Sequence, residues 1–567
     1  MKRTLIINIL FLLFLLPAAA QINQQGLKRE VTLYNPYKPS LTDTRKRSFL
    51  PDIMDTSKVR PDFKYNIETV PYSPEYTISP IKAASLIPDP LAKLYKSYLK
   101  LGFGNYITPL AELSITNERS KKGAIGIIAR HYSTNGKLKL DNDKRVFAGY
   151  MDNDVSLFGK RFLKGNYLEG SVDFMQKVRY AYGYDTSISG YDPSNKEIRF
   201  PYQDAGARVS FGSLTLDSTS FSYNFGLSYD LFFTSGNRYQ HNVGLTGTMA
   251  KMYKGFYAGA DLEFQYYKPS AIIYSEGKYI ASISPFLKKS TQQWSFKAGV
   301  QLLLDKNMNS AVVFHLYPDA RFSFAIVPSY VSFFAGLNGR LERNDPKHII
   351  DINPYLVSDT LFKLVNTSNA LAVSAGLKGN TGIGGNYLIS ASYSIVNDML
   401  FYTSAVYPLN VPTALMGNTF IPMTDDGEIF TLHGEINGLI NDKISYSGKA
   451  NLYKYTLSHY DRPWNMPLWD IKADVAYNLR DKIIGNADLT IVGKRPLAAT
   501  SSGIFEPNIP VADSPAHMNL NLGAEYRYTK ILSFWVKLNN ISYNRYYEWA
   551  WYPSQRFLFM AGFTYSL

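Results

Sequence analysis

The chain has 567 residues, a formal net charge of +14, 15% aromatic residues with 44 Tyr and 33 Phe, and no Cys. The missing Cys excludes disulfides, thiol catalysis and thiolate metal sites. The basic residues are spread along the whole chain, which reads as solvated surface, and nucleic acid is excluded as a partner by the export signal described next.

Lys2 and Arg3 precede an uninterrupted apolar run from Leu5 to Leu16, and Pro17-Ala18-Ala19-Ala20 supplies the small residues a signal peptidase reads. Residues 1–20 are therefore expected to be a signal peptide, cleaved before Gln21, because the run is shorter than the ~20 residues a spanning helix needs. No Cys follows the cleavage site, so a lipoprotein is excluded. Residues 21–94 form a different segment, rich in Pro (Pro36, Pro39, Pro51, Pro61, Pro71, Pro74, Pro80, Pro88 and Pro90) and carrying the basic run Arg45-Lys46-Arg47. Pro removes ladder donors and breaks helices, so the segment reads as a short, irregular periplasmic arm.

From residue 95 to 567 the pattern changes to period-two alternation. Trp294, Phe296, Ala298, Val300 and Leu302 alternate with Ser295, Lys297, Gly299 and Gln301. Ile444, Tyr446, Gly448, Ala450 and Leu452 alternate with Ser445, Ser447, Lys449 and Asn451, and Met518, Leu520, Leu522, Ala524 and Tyr526 with Asn519, Asn521, Gly523, Glu525 and Arg527. Successive strand side chains face opposite ways, so one face is apolar and the other polar. The runs are about nine to twelve residues, the length a tilted strand needs to cross a bilayer, against about five or six in soluble sheets. Connections also alternate in length. Short turns fall near Tyr253-Lys254-Gly255, Asn441-Asp442-Lys443, Arg480-Asp481-Lys482 and Thr529-Lys530-Ile531, with longer polar stretches over 134–150, 184–201, 343–369, 403–428, 459–468 and 495–515. This is the order of short periplasmic turns and long extracellular loops. The prediction is an all-β transmembrane antiparallel β-barrel of about 22 strands, with Val312 to Ile326 counted as one strand despite Pro318. Mean hydropathy of −0.17 fits a wall whose alternate positions face a polar interior.

The last strand puts Phe557, Phe559, Ala561, Phe563, Tyr565 and Leu567 on one face. Gly562, Tyr565 and Leu567 match the Gly-x-x-aromatic-x-apolar signal of barrel assembly, with Met560 where a polar residue is usual. The expected environment is the bacterial outer membrane, with its lipid and the barrel assembly machinery as partners. Trp549, Trp551, Tyr546, Tyr547 and Tyr552 crowd the segment before this strand. The plain reading is an aromatic girdle at the membrane interface; stacking on sugar rings is the alternative.

No catalytic constellation is found, and no cofactor or metal site is expected. Ser458-His459-Tyr460-Asp461 brings Ser, His and Asp together, but a triad needs convergence in space that adjacent residues do not supply, and the stretch reads as a polar loop. Asp425-Asp426-Gly427-Glu428 carries oxygen ligands of the kind Ca²⁺ takes, with a solvated acidic loop as the plainer reading. The Gly-rich stretch over 379–385 lacks the Lys-Ser/Thr ending of a phosphate loop and reads as a periplasmic turn. Lys297, Lys449, Asp474, Glu525 and Arg527, with Lys472, Asp261, Glu263 and Glu435, fall on polar strand faces and are expected to face the lumen. Their mixed signs suit mutual ion pairs or contact with a filling segment better than an ion filter.

Several stretches resemble the barrel domain of TonB-dependent receptors, particularly those of Bacteroidetes-type bacteria. These are Leu538-Asn539-Asn540-Ile541-Ser542-Tyr543-Asn544-Arg545-Tyr546-Tyr547 with Tyr552-Pro553 and Arg556, His315-Leu316-Tyr317-Pro318-Asp319-Ala320-Arg321, and Asn353-Pro354-Tyr355-Leu356. The resemblance covers residues 95–567. It implies passage or uptake of a ligand across the outer membrane. The family also carries a folded plug domain inside the barrel, preceded by a TonB box. Here residues 21–94 do not read as a plug, and Glu30-Val31-Thr32-Leu33 resembles a TonB box in only four positions. A barrel this wide needs filling, so the arm is the candidate filler, alone or with a periplasmic or outer-membrane protein partner. The departure keeps open an alternative, a non-transporting structural or accessory subunit of an outer-membrane complex.

Overall fold

A computed structural model of the protein describes residues 95–567, apart from 118–119, 215–219, 274–275, 309, 383, 407–415 and 501–508. The expected signal peptide and arm, residues 1–94, lie outside the described residues. The rest is a closed antiparallel barrel of 22 strands. The first, Ser97–Gly104, pairs with the last, Leu558–Ser566, in a register running from Tyr98 opposite Ser566 to Gly104 opposite Met560. Backbone hydrogen bonds of 2.9 Å in both directions between Ser97 and Leu567 finish the seam. Closure leaves no strand edge, the condition for backbone polar groups to survive in hydrocarbon. Among the described residues no helix is long and apolar enough to cross a membrane; the strands do so.

The hydrophobicity is inside-out. Leu157, Val172, Phe211, Leu227, Leu245, Leu316, Ile389, Leu432, Leu452, Phe534 and Phe563 stand exposed on the outer face. In water such a belt would drive aggregation; against lipid it is the matching surface. The polar partners of the alternation lie on the opposite face of each strand.

At one end the connections are tight. Lys254 and Gly255 take φ of 46° and 80°, Asn441 and Asp442 52° and 54°, and Arg480 and Asp481 52° and 56°. Two successive positive-φ residues make the turn whose twist matches paired strands, which is why Gly, Asn and Asp recur there. Val312–Val327 is one strand, as expected. Pairing with Val331–Glu342 begins only at Asp319, so Pro318 sits where the strand loses its second neighbour, a position that tolerates a missing N–H.

At the other end two expectations are corrected. Residues 403–428 are not a long loop: strands Gly385–Val406 and Met416–Ile440 carry on through most of that stretch, leaving 407–415 as the connection. Only about ten residues of a strand are needed to cross the bilayer, so the upper part of this pair stands clear of it. Its residues Thr403, Ser404, Ala405 and Phe420 are at most 1% exposed, because loops cover both faces, and this erases the alternation that marks a membrane strand. The acidic run at Asp425 is likewise strand, not loop. The second correction concerns the aromatic crowd. Tyr552 is 1% exposed, and Tyr547, Trp549 and Trp551 pack around it in the interior of a loop assembly, not as a girdle facing lipid.

Candidate functional site

The long loops form a roof over the barrel mouth with its own hydrophobic core. Loop 343–366 contributes Ile349, Ile350, Leu356, Leu361 and Phe362, each at most 2% exposed, which pack with Tyr202 and Phe232 of the wall and with Phe420 and Tyr552. A seven-residue helix, Pro346–Ile352, opens this loop. Asp345 caps it by accepting from the His348 N–H at 3.0 Å, and Pro346 supplies a first-turn residue that needs no donor. Beyond the helix, Leu356 bridges to Phe420, and the Phe420 N–H donates to the Tyr355 carbonyl at 2.8 Å.

Charges fasten the same loop to inward-facing wall residues. Lys347 pairs with Asp204, whose side chain is 2% exposed, and reaches Asp230 at 3.7 Å. Arg343 meets Glu263 at 2.9 Å, Arg238 meets Asp359 at 2.5 Å, and Lys177 pairs with Asp351. Beneath Lys347 lies a cavity of about 270 Å³ lined by Asp204, Asp230, Gln240 and Asn242.

A larger cavity, about 440 Å³, lies where loop 343–366 faces residues 540–557. Tyr132, Tyr150, Arg179, Asn519 and Asn539 of the wall line it, and Asp351, Tyr355, Tyr546, Glu548, Trp549, Gln555 and Arg556 line it from the loops. Arg179 is held in a two-pronged contact by Asp152, at 2.6 and 3.2 Å. Burial pushes the Tyr546 hydroxyl up to about 12, so it stays a neutral donor. Glu548 is wetted by the cavity but enclosed by protein, which raises its carboxyl above the ordinary value against the pull of Arg495 and Arg179.

The charged residues singled out from sequence lie on the barrel strands, none of them in this cavity, whereas Tyr546 and Trp549 of the aromatic crowd do line it. Lys297 pairs with Asp319 and sits 5.2 Å from the Phe286 ring centre. Lys449 meets Glu435 at 3.6 Å, Asp474 accepts from Ser447 at 2.9 Å, and Arg527 lies 4.0 Å from Asp481 beside a tight turn. Glu525 shares the inward face of its strand with Arg527. Lys449 and Asp474 are on adjacent strands, Glu525 and Arg527 share one strand, and Lys297 stands apart. Gly562 faces Gly102 across the seam, where a Cβ would fall 1.9 Å from the Leu101 carbonyl oxygen, while Tyr565 pairs with Leu99 and Leu567 with Ser97.

At the rim, His459 Nδ1 lies 2.8 Å from Asp425 Oδ1. Asp425 also accepts from the backbone N–H groups of His459, Tyr460 and Asp426, at 3.0, 2.9 and 2.9 Å. Its oxygens are thus spent on anchoring a loop. Among the described residues no group of three or more His, Asp or Glu is placed to hold a metal. The cavity residues were missed because wall positions on strands of distant sequence must converge to make it. The legible signals were the aromatic crowd at 546–552 and the apolar residues inside the supposedly polar stretch 343–369.

No family model matches the sequence, and no curated protein does. Solved structures do. The ferric-catecholate import receptor Fiu of Escherichia coli K12 superposes with a TM-score of 0.58 at 9% identity, over 83% of this chain and 82% of that one. The FrpB iron transporter of Neisseria meningitidis gives 0.63 at 9%, over 84% and 82%. The ferripyoverdine receptor of the Pseudomonas aeruginosa outer membrane gives 0.59 at 10%, over 84% and 72%. The fold is that of an outer-membrane receptor barrel. At these identities the likeness is one of architecture, and ligand and mechanism must be argued from this chain's own residues.

Proposed function

We propose that the protein is an outer-membrane receptor barrel that takes up a ligand from its roofed end. The observation that carries this is the roof itself. A barrel of this width encloses a lumen large enough to pass solutes, and here the mouth is spanned by a folded loop layer with a polar cavity between loops and wall. The architectural neighbours, described as import receptors or transporters, agree in kind. On this reading residues 1–20 direct export, Gly562, Tyr565 and Leu567 serve the assembly machinery, and residues 21–94 fill the lumen or recruit a periplasmic partner.

Conductance in planar bilayers tests it. The full chain should be closed, and removing residues 21–94 or the loop segment 346–362 should open a large pore. If the full chain already conducts as a wide pore, or if removing both segments leaves it closed, the uptake reading fails. A second reading, a non-transporting accessory subunit, draws support from the apolar packing of the roof, which suits a permanently shut barrel. Co-purification with stoichiometric envelope proteins, together with closure of every deletion, would favour it.

A further inference from the structure

We propose that Ser133, His131 and Asn153 form a hydrolytic triad on the outer surface of the barrel, and that it cleaves acyl esters of outer-leaflet lipids. His131 and Ser133 are two residues apart on strand Gly123–Thr134, and Asn153 stands opposite His131 on strand Tyr150–Phe162. Ser133 Oγ lies 3.1 Å from His131 Nε2, and His131 Nδ1 lies 2.6 Å from Asn153 Oδ1. On the next strand, Asn166–Tyr180, Gln176 Oε1 accepts from Asn153 Nδ2 at 3.0 Å. This last bond orders the others. It turns the Asn153 carbonyl oxygen toward the ring, and a carbonyl oxygen only accepts, so the ring proton sits on Nδ1. Nε2 is left as a bare acceptor facing the Ser133 hydroxyl. Nucleophile, base and orienting group in this sequence are the parts of an acyl-transfer site.

The face decides the substrate. Tyr132 lines the larger cavity, Asp152 holds Arg179 and Lys177 pairs with Asp351, so all three belong to the interior. Alternation then places their chain neighbours His131, Ser133, Asn153 and Gln176 on the outside. Ile125, Val155, Leu157, Val172 and Phe174 share that outer face and are between 39% and 61% exposed. The triad lies where two strands enter and leave the long connection 134–150. That is the level at which an outer leaflet passes from acyl chain to headgroup, where lipid ester bonds lie. Ser133 keeps 8% of its surface, so a slender group such as an ester carbonyl reaches it and a bulky one does not.

Ser133 Oγ attacks the ester carbonyl carbon while its proton passes to His131 Nε2. The bond from that carbon to the lipid alcohol oxygen breaks, and the oxygen takes the proton from Nε2. Water then attacks the acyl-serine and gives a proton to Nε2; its return to Ser133 Oγ releases the fatty acid. Water is the only co-reactant consumed. Asn153 and Gln176 are positioning residues, which hold the imidazole in the tautomer the step requires.

Hydrolysis is independent of the uptake reading and is measured apart from conductance. Full-length protein would be reconstituted in vesicles of phosphatidylethanolamine and phosphatidylglycerol, and separately in vesicles carrying lipopolysaccharide, with released fatty acid read by mass spectrometry. Release from the first assigns a glycerophospholipid ester, and release from the second a lipid A ester. Ser133→Ala and His131→Ala should each lower release at least ~10³-fold. Asn153→Ala should lower kcat by ~10²-fold at unchanged KM, and Asn153→Asp should recover most of it, a rescue that a merely structural hydrogen-bond ladder would not give. Hexadecylsulfonyl fluoride should label the native protein at Ser133, located by peptide mass. No release from either vesicle, or release that persists in Ser133→Ala, would overturn the proposal. If the variants fail to fold, the native protein decides it alone: an unlabelled Ser133 overturns the triad.

Discussion

His459 and Asp425 meet above the bilayer, where a short distance alone says little about strength. His459 is 79% exposed and Asp425 fully buried at its side chain, so the pair is lopsided. Hydrogen bonding to Asp425, then its charge, raises the imidazole above its ordinary 6.5. Burial works to raise the Asp425 carboxyl, but hydrogen bonds from the Tyr460 and His459 backbones outweigh it and bring the value below 3.8. The signs then fix a window. The His459 contribution is complete below its unfolded pKa and fades as pH rises through the raised value; the Asp425 contribution is complete above its unfolded pKa and fades as pH falls through the lowered one. Loop 458–468 should therefore be most protected in mildly acidic solution. Proteolysis of that loop across pH checks this: cleavage should speed up above neutrality in the native chain, and His459→Gln should flatten the rise. A rise that survives in His459→Gln would show that another group controls the loop.

At the scale of an element, loop 343–366 is the part that departs furthest from a simple hairpin connection. Its ion pairs are not equivalent. Lys347 answers a carboxylate at 2% exposure, while the Arg343 and Glu263 side chains are 41% and 32% exposed. Removing one member of a buried pair strands the other and costs ~3–5 kcal/mol, toward the low end here because Lys347 keeps some solvent; a solvated pair contributes ~0–1 kcal/mol. Lys347→Met should thus raise hydrogen exchange across 346–362 far more than Arg343→Met, read by mass spectrometry. Equal effects would mean that the apolar packing of Ile349, Leu361 and Phe362 holds the loop and the charges only decorate it. The end of the alternation marks a long connection over 343–369, but the polar residues of that stretch hide the burial of Ile349 and Phe362. Periodicity reports only a residue's own face, whereas Ile349 and Phe362 find their apolar partners on loops and strands far away in the chain. The same limit explains why 403–428 was read as loop and 546–552 as girdle. The membrane-crossing wall was legible because every strand there repeats one environment, lipid on one side and lumen on the other.

For the whole molecule, that repeated environment is what sets stability, and it makes a sharp demand. Ordinary globular folds tolerate charge on exposed positions, yet here the most exposed apolar side chains face hydrocarbon. Leu227 is 53% exposed on strand Ser222–Thr234, and Asn224, three residues before it, is turned to the lumen. If the outer belt meets lipid, Leu227→Lys must carry an ammonium group into the membrane, at ~2–4 kcal/mol near the midplane. Asn224→Lys adds the same charge to a wetted wall and should cost under ~0.5 kcal/mol, as a solvated substitution does. Urea unfolding of the protein in lipid vesicles, followed by tryptophan fluorescence, compares the two directly. A soluble barrel would rank them alike, since both side chains would then lie in water. The lipid-facing assignment requires the lysine at 227 to lower stability several-fold more than the lysine at 224, and to lose that excess when the vesicles are replaced by a thin, deformable detergent shell.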